Sequence, residues 1–193
     1  MIRLGLTGSI GMGKTTTAQM FRDAGIPVWD ADATVHNLYA VGGAAVASVS
    51  EAFPEALVDG AIDRSRLKAA LKNDSTALKT LEAIVHPLVS RAREDFIDQS
   101  QAPLIVLDIP LLFETGAFEV VDKIAVVSVP ADVQHKRVMD RGTMDEAAFK
   151  MILSNQIPDA EKRARADYVI ETLTMESARA QVHAIISELM QHA

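Results

Sequence analysis

The fold of this chain is decided by the stretch Gly8-Ser9-Ile10-Gly11-Met12-Gly13-Lys14-Thr15. It has the spacing of a phosphate-binding loop, in which a glycine is followed by any four residues and then by glycine, lysine and serine or threonine. Phosphate oxygens need several backbone N–H groups that point inward, and only glycine lets the backbone curl and approach so closely. The motif therefore predicts that a phosphate binds at the start of a helix.

The residues on either side of the motif predict the local structure that such a loop requires. Ile2–Thr7 has the pattern of a short buried strand, and residues 14–24 have the pattern of a helix that ends at Gly25. Residues 26–29 resemble a second short strand. Strand, loop, helix and strand in this order form a βαβ unit, which predicts a parallel sheet.

The motif also predicts which ligands bind and through which groups. Lys14 would reach the β- and γ-phosphates of ATP, and the Thr15 hydroxyl is placed to ligate Mg²⁺. We expect ATP as co-substrate and Mg²⁺ as its metal ion. The predicted nucleotide-binding residues are Gly8, Gly11, Met12, Gly13, Lys14, Thr15 and Thr16.

The rest of the chain predicts how the sheet is completed. Residues 104–107, 123–129 and 168–170 add three strands, which gives an α/β P-loop NTPase fold with a five-stranded parallel sheet flanked by helices. We interpret residues 1–193 as a single domain. Residues from about 31 to 100 are mostly helical in pattern and predict an inserted helical lobe, in which a new helix begins at Pro87. The polar stretch from about 137 to 165 predicts a lid of short helices.

Composition limits the function classes. The 193 residues suit one compact domain, and the absence of cysteine excludes disulfides and thiolate metal sites. The formal net charge of −7 argues against nucleic-acid binding. No apolar run is long enough to span a membrane, and the first residues lead straight into the motif rather than resembling a signal peptide. We expect a cytoplasmic protein with no nucleic-acid, membrane or obligate protein partner.

Three acidic residues follow predicted strands. Asp32 comes just after the second strand, where a carboxylate is placed to accept a hydroxyl proton or to hold a Mg²⁺-bound water. Asp30 is the better candidate for the N-cap of the next helix. Asp108 directly follows the strand 104–107, as the acidic residue of a Walker B element does, which predicts that it binds the metal ion or lies at the phosphate site. The alternative is that Asp108 is an ordinary turn residue at the end of a buried strand.

Arg137 and Arg141 lie one turn apart on a predicted helix, before the polar stretch. Guanidinium groups on a lid neutralise charge on a transferred phosphoryl group, and lid closure excludes water. A solvated basic face is the alternative. We select Arg141 as catalytic and leave Arg137 open. A GTPase is disfavoured, because Ile109-Pro110-Leu111 stands where a switch motif would follow Asp108 and no guanine-recognition motif is found.

Five segments, spaced along almost the whole chain, together resemble dephospho-coenzyme A kinases. They are Leu6-Thr7-Gly8-Ser9-Ile10-Gly11-Met12-Gly13-Lys14-Thr15; Asp30-Ala31-Asp32; Ile84-Val85-His86-Pro87-Leu88-Val89; Leu107-Asp108-Ile109-Pro110-Leu111-Leu112-Phe113-Glu114; and the tail with Gln156-Ile157-Pro158, Glu161-Lys162-Arg163 and Ala166-Asp167-Tyr168-Val169-Ile170. Many kinases share the first segment, whereas the third and fourth are much more particular to this family.

The resemblance implies transfer of the ATP γ-phosphoryl group to the ribose 3′-hydroxyl of dephospho-coenzyme A, the last step of coenzyme A synthesis. It implies a nucleoside-kinase-like core, a helical acceptor lobe and a lid, with Asp32 matching the family's presumed base. His86 and Pro87, with Leu111 and Phe113, become candidate acceptor-binding residues. His86 is equally readable as a helix cap before Pro87, and the apolar run around Phe113 as core.

The sequence departs from the family pattern in two places. Many members carry an arginine just before the glutamine that matches Gln156, where this chain has residues 152–155 without one. After the fifth strand, many members have asparagine and glycine, where this chain has Glu171-Thr172-Leu173. Both places lie near the expected lid and adenine side, so no adenine contacts are predicted.

Two other functions remain in competition. One is a different small-substrate kinase such as a shikimate-type enzyme, which also places aspartates after its second strand. The other is a nucleotide-binding regulatory protein without turnover, which would need neither Asp32 nor arginines on a lid.

Overall fold

The computed structural model describes residues 1–72 and 74–191, and these form two compact units. The first unit contains Met1–Trp29 together with the described residues from Ser100 onward, and the second is Asp30–Gln99. The strands are β1 Ile2–Thr7, β2 Val28–Asp30, β3 Leu57–Val58, β4 Ala61–Ile62, β5 Leu104–Asp108, β6 Lys123–Ser128 and β7 Tyr168–Glu171.

The helices connect these strands and cover the sheet. They are α1 Lys14–Asp23, α2 Ala31–Tyr39, α3 Val46–Ala52, α4 Arg64–Ala70, α5 Ser75–Gln99, α6 Leu112–Thr115, α7 Ala131–Asp140, α8 Glu146–Ser154, α9 Asp159–Ala164 and α10 Met175–Gln191. Short 3₁₀ turns span Pro54–Ala56 and Ala117–Val120.

The main sheet has five strands in the order β2-β5-β1-β6-β7, with β1 central. The predicted five-stranded parallel sheet is confirmed, since β1 pairs in parallel with both β5 and β6, and β6 with β7. β2 begins later than the predicted strand 26–29. The reason is that Ile26 still donates its N–H to the Phe21 carbonyl in the turn after α1, and Pro27 has no N–H to pair.

Both faces of the sheet are buried, as a parallel sheet requires. Ala125 and Val127 of β6 belong to a core that also contains residues of α1 and α10. Their neighbours Ile124 and Val126 belong to a second cluster, which includes Leu112 and Phe113 of α6. The alternation places α1 and α10 on one face and α6 on the other.

The second unit is mostly helical and encloses its own core, which contains Tyr39, Val49 and Leu67. It also holds the antiparallel pair β3–β4, which the sequence did not predict. The turn between these strands uses Asp59 and Gly60, both with positive φ. Asp30 Oδ1 accepts a hydrogen bond from the Ala33 N–H at 2.9 Å, which confirms Asp30 as the N-cap of α2.

The prediction that a helix begins at Pro87 is wrong, because α5 runs from Ser75 to Gln99 with Pro87 inside it. The alternative in which His86 caps that helix is wrong for the same reason. An internal proline costs a helix about 3 kcal/mol. Apolar side chains on both sides of it, Ile84 and Val85 before and Leu88 after, pack into one cluster and offset that cost.

Candidate active site

The loop between β1 and α1 has the tight backbone that its glycines predict. Gly11 and Gly13 have φ of +78° and +96°, in the left-handed region that favours glycine. A methyl group at Gly8 would lie 2.3 Å from Val127 Cγ2, so this position needs glycine for space. Gly13 is the N-cap of α1 and has no side chain to occupy the first N–H groups of that helix. The loop therefore presents a helix start suited to phosphate.

Lys14 is held by the acid that ends β5. Its Nζ lies 2.7 Å from Asp108 Oδ1, and the Asp108 side chain is only 1% exposed. The two residues come together because β1 and β5 are neighbours in the sheet. The pair fixes the ammonium group beside the loop, at the edge of the sheet where ligands of parallel α/β folds bind.

The donor set around the loop fits a magnesium ion bound largely through the nucleotide. Thr15 has an exposed side chain in the first turn of α1, and Asp108 supplies carboxylate oxygen. Within residues 1–72 and 74–191, no cluster of three or more His, Cys, Asp or Glu side chains forms a metal cage. Mg²⁺ characteristically uses one or two protein oxygens together with substrate phosphates and water, so this sparse set suits it.

Two glutamines hold the backbone of Ile10 in the loop. Gln134 Nε2 donates to the Ile10 carbonyl at 2.7 Å, and Gln156 Oε1 accepts from the Ile10 N–H at 3.2 Å. Gln134 lies on α7, and Gln156 follows α8. The predicted lid region is thus hydrogen-bonded to the phosphate loop.

Thr172, just after β7, makes a third connection to the loop. Its Oγ1 donates to the Met12 carbonyl at 2.6 Å and accepts from Arg137 Nη1 at 3.0 Å. Arg137 Nη2 also donates to the Thr172 carbonyl at 2.5 Å. One buried residue therefore joins the loop to an arginine of α7.

A cavity of about 150 Å³ opens beside these groups. It is lined by Gly11 and Gly13 of the loop, by Arg137 and Arg141, and by Thr172. Thr16, a predicted nucleotide contact, also lines it. The structure thus brings Arg137 and Arg141 to a cavity that the phosphate loop shares.

Glu114 of α6 connects the other end of the predicted lid to the core. Its Oε1 lies 2.7 Å from Nζ of the fully buried Lys162 and accepts the Ile157 N–H at 3.0 Å. Burial alone would raise the pKa of Glu114, but the paired Lys162 ammonium and hydrogen bonds from backbone N–H groups outweigh it and lower that pKa. Glu114 is therefore a stable carboxylate that ties α6 to α9.

The apolar acceptor candidates differ in exposure. Leu111 is 43% exposed, whereas Phe113 is 4% exposed and packs edge-on against Phe118 with ring centroids 5.6 Å apart. The Arg165 guanidinium lies over the Phe113 ring, 5.0 Å from its centroid. Of the two residues, Leu111 is the better placed for direct contact with a ligand.

The remaining candidates belong to the second unit. Asp32 has an exposed side chain in the first turn of α2, two residues after β2 ends. His86 and Pro87 are both exposed on α5, next to the buried Val85. All three are therefore accessible to a ligand from solvent.

Comparison with known proteins decides the family. The family model for dephospho-CoA kinase matches residues 2–177. The curated dephospho-CoA kinase of Ruegeria pomeroyi is 56% identical over 187 residues, with 97% of this chain and 95% of the relative covered. That of Jannaschia sp. is 57% identical over 189 residues, with 97% of each chain covered.

The chain belongs to the dephospho-CoA kinase family. A solved dephospho-CoA kinase from Campylobacter jejuni has the same fold, with a TM-score of 0.65, 24% identity, and 97% of this chain and 96% of that chain covered. The family's activity is ATP-dependent phosphoryl transfer to dephospho-CoA in coenzyme A biosynthesis, and identity above one half over nearly full length supports the same activity here. In the described part of the chain, no helix is long and apolar enough to cross a membrane.

The candidate site contains residues that the sequence did not single out. No motif in the sequence around Gln134 indicated a role in the site, since it is a single polar residue in a predicted helix. Gln156 was quoted as part of a family segment but was given no role, and Thr172 was noted only as a departure from the family pattern. Their side chains reach the loop across long stretches of sequence, so only the fold reveals them.

Proposed function

We propose that this chain carries out the transfer with Lys14, Asp32 and Arg141 as its catalytic groups. The 3′-hydroxyl oxygen of dephospho-CoA attacks the γ-phosphorus of ATP while the bond to the β,γ-bridging oxygen breaks. The hydroxyl proton passes to the Asp32 carboxylate, and ADP leaves. The observation that carries the proposal is the ion pair of Lys14 and Asp108 beside a phosphate loop of the required conformation.

ATP binding is proposed to use the loop and the cavity beside it. Backbone N–H groups from Gly11 to Thr16 surround the β-phosphate, and Lys14 neutralises charge on the β- and γ-phosphates. The cavity lined by Arg137 and Thr172 is continuous with the loop residues and suits the adenosine portion of ATP. A guanidinium plane stacks well on an aromatic base, which supports Arg137 as part of that surface.

Magnesium is proposed to bind through Thr15, with Asp108 as the second protein oxygen, and the phosphates complete its coordination. When bound, the ion supplies charge neutralisation at the β- and γ-phosphate oxygens. In the described structure, Asp108 orients Lys14 through a 2.7 Å contact.

The acceptor is proposed to bind the helical lobe of residues 31–100. His86 and Pro87 are exposed on α5, and Leu111 is exposed after β5. Phe113 stays among the candidates, although its burial favours a role in packing over direct contact with the acceptor. The segment 137–165 is proposed to close as a lid, which brings Arg141 to the transferred phosphoryl group and excludes water. We place the reaction in the cytoplasm, because the absence of cysteine fits a reducing compartment.

The substrate is tested by following ADP release from Mg²⁺-ATP with one acceptor at a time. Dephospho-CoA should stimulate release strongly and yield CoA. Shikimate, gluconate, nucleosides, nucleoside monophosphates and a blank without acceptor should not. Release that ignores dephospho-CoA would refute the assignment of substrate while leaving the fold intact.

The base is tested with Asp32→Asn, and Asp30→Asn is the matched control. A general base contributes about 10²- to 10⁴-fold to rate, so we expect a kcat loss in that range with KM for ATP retained. Asp30→Asn makes the same charge change two residues away, and asparagine caps a helix as well as aspartate. Normal turnover by Asp32→Asn would make the base assignment wrong.

A further inference from the structure

We propose that Thr172 is a positioning residue of the ATP site, whose hydroxyl locks the phosphate loop and Arg137 into one arrangement. The proposal rests on the nucleotide site proposed above. Thr172 is not proposed to touch the phosphates or the reacting atoms. It acts through the Met12 carbonyl and the Arg137 guanidinium.

The Thr172 hydroxyl makes two hydrogen bonds in a buried position. Thr172 is 9% exposed, so little water is available to replace a lost partner. Its Oγ1 gives its one proton to the Met12 carbonyl at 2.6 Å and accepts the Arg137 Nη1 proton at 3.0 Å. Because a hydroxyl has only one proton to donate, the donor on one side and the acceptor on the other are both fixed.

Thr172 also fixes the orientation of the Arg137 guanidinium. Its two terminal nitrogens bond to two oxygens of the same residue, Oγ1 and the carbonyl of Thr172. Thr172 is itself anchored, since its N–H donates to the Ser128 carbonyl at 3.1 Å, at the end of β6. The guanidinium plane that lines the cavity is therefore oriented by the sheet through Thr172.

Thr172 also fixes the backbone of the phosphate loop at Met12. Met12 is 2% exposed, and its carbonyl comes directly before Gly13, which has φ of +96°. A methyl group at Gly13 would lie 2.9 Å from Thr172 Oγ1, which shows how closely the two residues pack. The hydroxyl thus holds the peptide from which α1 and the phosphate-binding N–H groups begin.

Loss of the Thr172 hydroxyl should weaken the binding of ATP and leave the binding of dephospho-CoA unchanged. Removing the hydroxyl leaves the Met12 carbonyl, next to the cavity-lining Gly11 and Gly13, and one nitrogen of the cavity-lining Arg137 without this partner. We expect Thr172→Val to raise KM for ATP about 10-fold, in line with the cost of leaving buried hydrogen-bonding groups unpaired. KM for dephospho-CoA, measured at saturating ATP, should stay at the wild-type value.

The experiment compares Thr172→Val, Thr172→Ser and Arg137→Ala. Arg179→Ala removes an exposed arginine of α10 and is the control for loss of a positive charge. Serine restores the hydroxyl and should recover most of the ATP affinity, whereas a merely structural defect would lower stability or kcat without this selective change in KM. The Val and Ala changes combined should raise KM for ATP less than the product of their separate effects, because both break the same contact.

Two outcomes would overturn the proposal. One is an unchanged KM for ATP in Thr172→Val, and the other is a serine variant as impaired as the valine variant. If Arg137→Ala also leaves KM for ATP unchanged, the nucleotide site itself is wrongly placed; if only Arg137→Ala raises it, the site stands and the role of Thr172 falls. Should the valine variant fail to fold, Thr172→Ser and Thr172→Ala form a pair that makes the same comparison.

Discussion

Lys14 Nζ donates a hydrogen bond to Asp108 Oδ1 at 2.7 Å, and this contact links the phosphate loop to the end of β5. Asp108 is almost fully buried and Lys14 is 15% exposed. A charge pair of this kind holds the lysine in place before the nucleotide arrives, so less reorganisation is needed when phosphate binds. We therefore propose that the pair serves catalysis as well as stability.

The first prediction concerns this pair. We expect Asp108→Asn to lower kcat/KM for ATP about 10²-fold, because removing a preorganised electrostatic group costs about 10²- to 10³-fold. The double variant Asp108→Asn/Lys14→Ala should be little worse than Lys14→Ala alone, since the two residues act as a unit. Steady-state kinetics with dephospho-CoA measure both effects.

The same experiment separates the two roles proposed for Asp108. If Asp108 acts only through Lys14, the Mg²⁺ concentration for half-maximal rate stays the same in Asp108→Asn. A higher Mg²⁺ requirement that persists in the Lys14→Ala background would instead assign Asp108 to the metal ion.

The second prediction concerns the glutamine that reaches the loop from the lid region. Gln156→Leu removes the acceptor of the Ile10 N–H, and a net hydrogen bond of about 1 kcal/mol corresponds to a rise of about 5-fold in KM for ATP. The neighbouring Asn155→Ala removes only an exposed local bond to Met151 and is the control. Equal KM values for Gln156→Leu and wild type would show that the contact is not kept in the ATP complex.

Local patterns explain why much of the fold was predictable. The strand Ile2–Thr7 was predicted with the bounds that the structure shows, because an apolar run of this length reports short-range order. The nucleotide loop was predictable for the same reason. Its glycines are needed by the backbone where they stand.

Long-range contacts explain what was missed. Gln134 and Gln156 are 124 and 146 residues from Ile10, and nothing near either glutamine in sequence indicates such a partner. At Pro87 a local sequence signal was present but predicted the wrong structure. The local rule gave a helix boundary there, but apolar side chains on both sides of the proline hold one continuous helix against a shared core.

The third prediction concerns pH and Glu114. The folded state lowers the pKa of this carboxyl, so its contribution to the free energy of unfolding is complete above the unfolded pKa and is lost as pH falls through the folded pKa. Glu114→Gln should be less stable than wild type at pH 7 by about 3 kcal/mol, because it leaves Lys162 buried without its counter-charge. The difference between the two proteins should shrink below about pH 4, as the wild-type carboxyl is protonated.

Urea unfolding at pH 7 and at acidic pH measures this difference. Glu119→Gln changes an exposed carboxylate of the neighbouring turn and should leave stability nearly unchanged at both pH values. Adding Lys162→Met to Glu114→Gln should recover part of the lost stability, because the unpaired buried charge is removed. A pH-independent gap between wild type and Glu114→Gln would contradict the proposed charge pairing.

The fourth prediction concerns Pro87, an exposed residue inside a helix of 25 residues. Alanine restores an N–H group and removes the proline ring, so Pro87→Ala should raise the free energy of unfolding by about 1–3 kcal/mol. If the exposed surface of α5 binds the acceptor as proposed, the same change should raise KM for dephospho-CoA and leave KM for ATP unaltered.

His86→Ala should raise KM for dephospho-CoA without the gain in stability. Glu82→Ala, one turn earlier on the same helix, is the control for both readouts. A more stable Pro87→Ala variant with unchanged acceptor KM would mean that the proline is tolerated rather than used, and the acceptor surface would then have to lie elsewhere on the second unit.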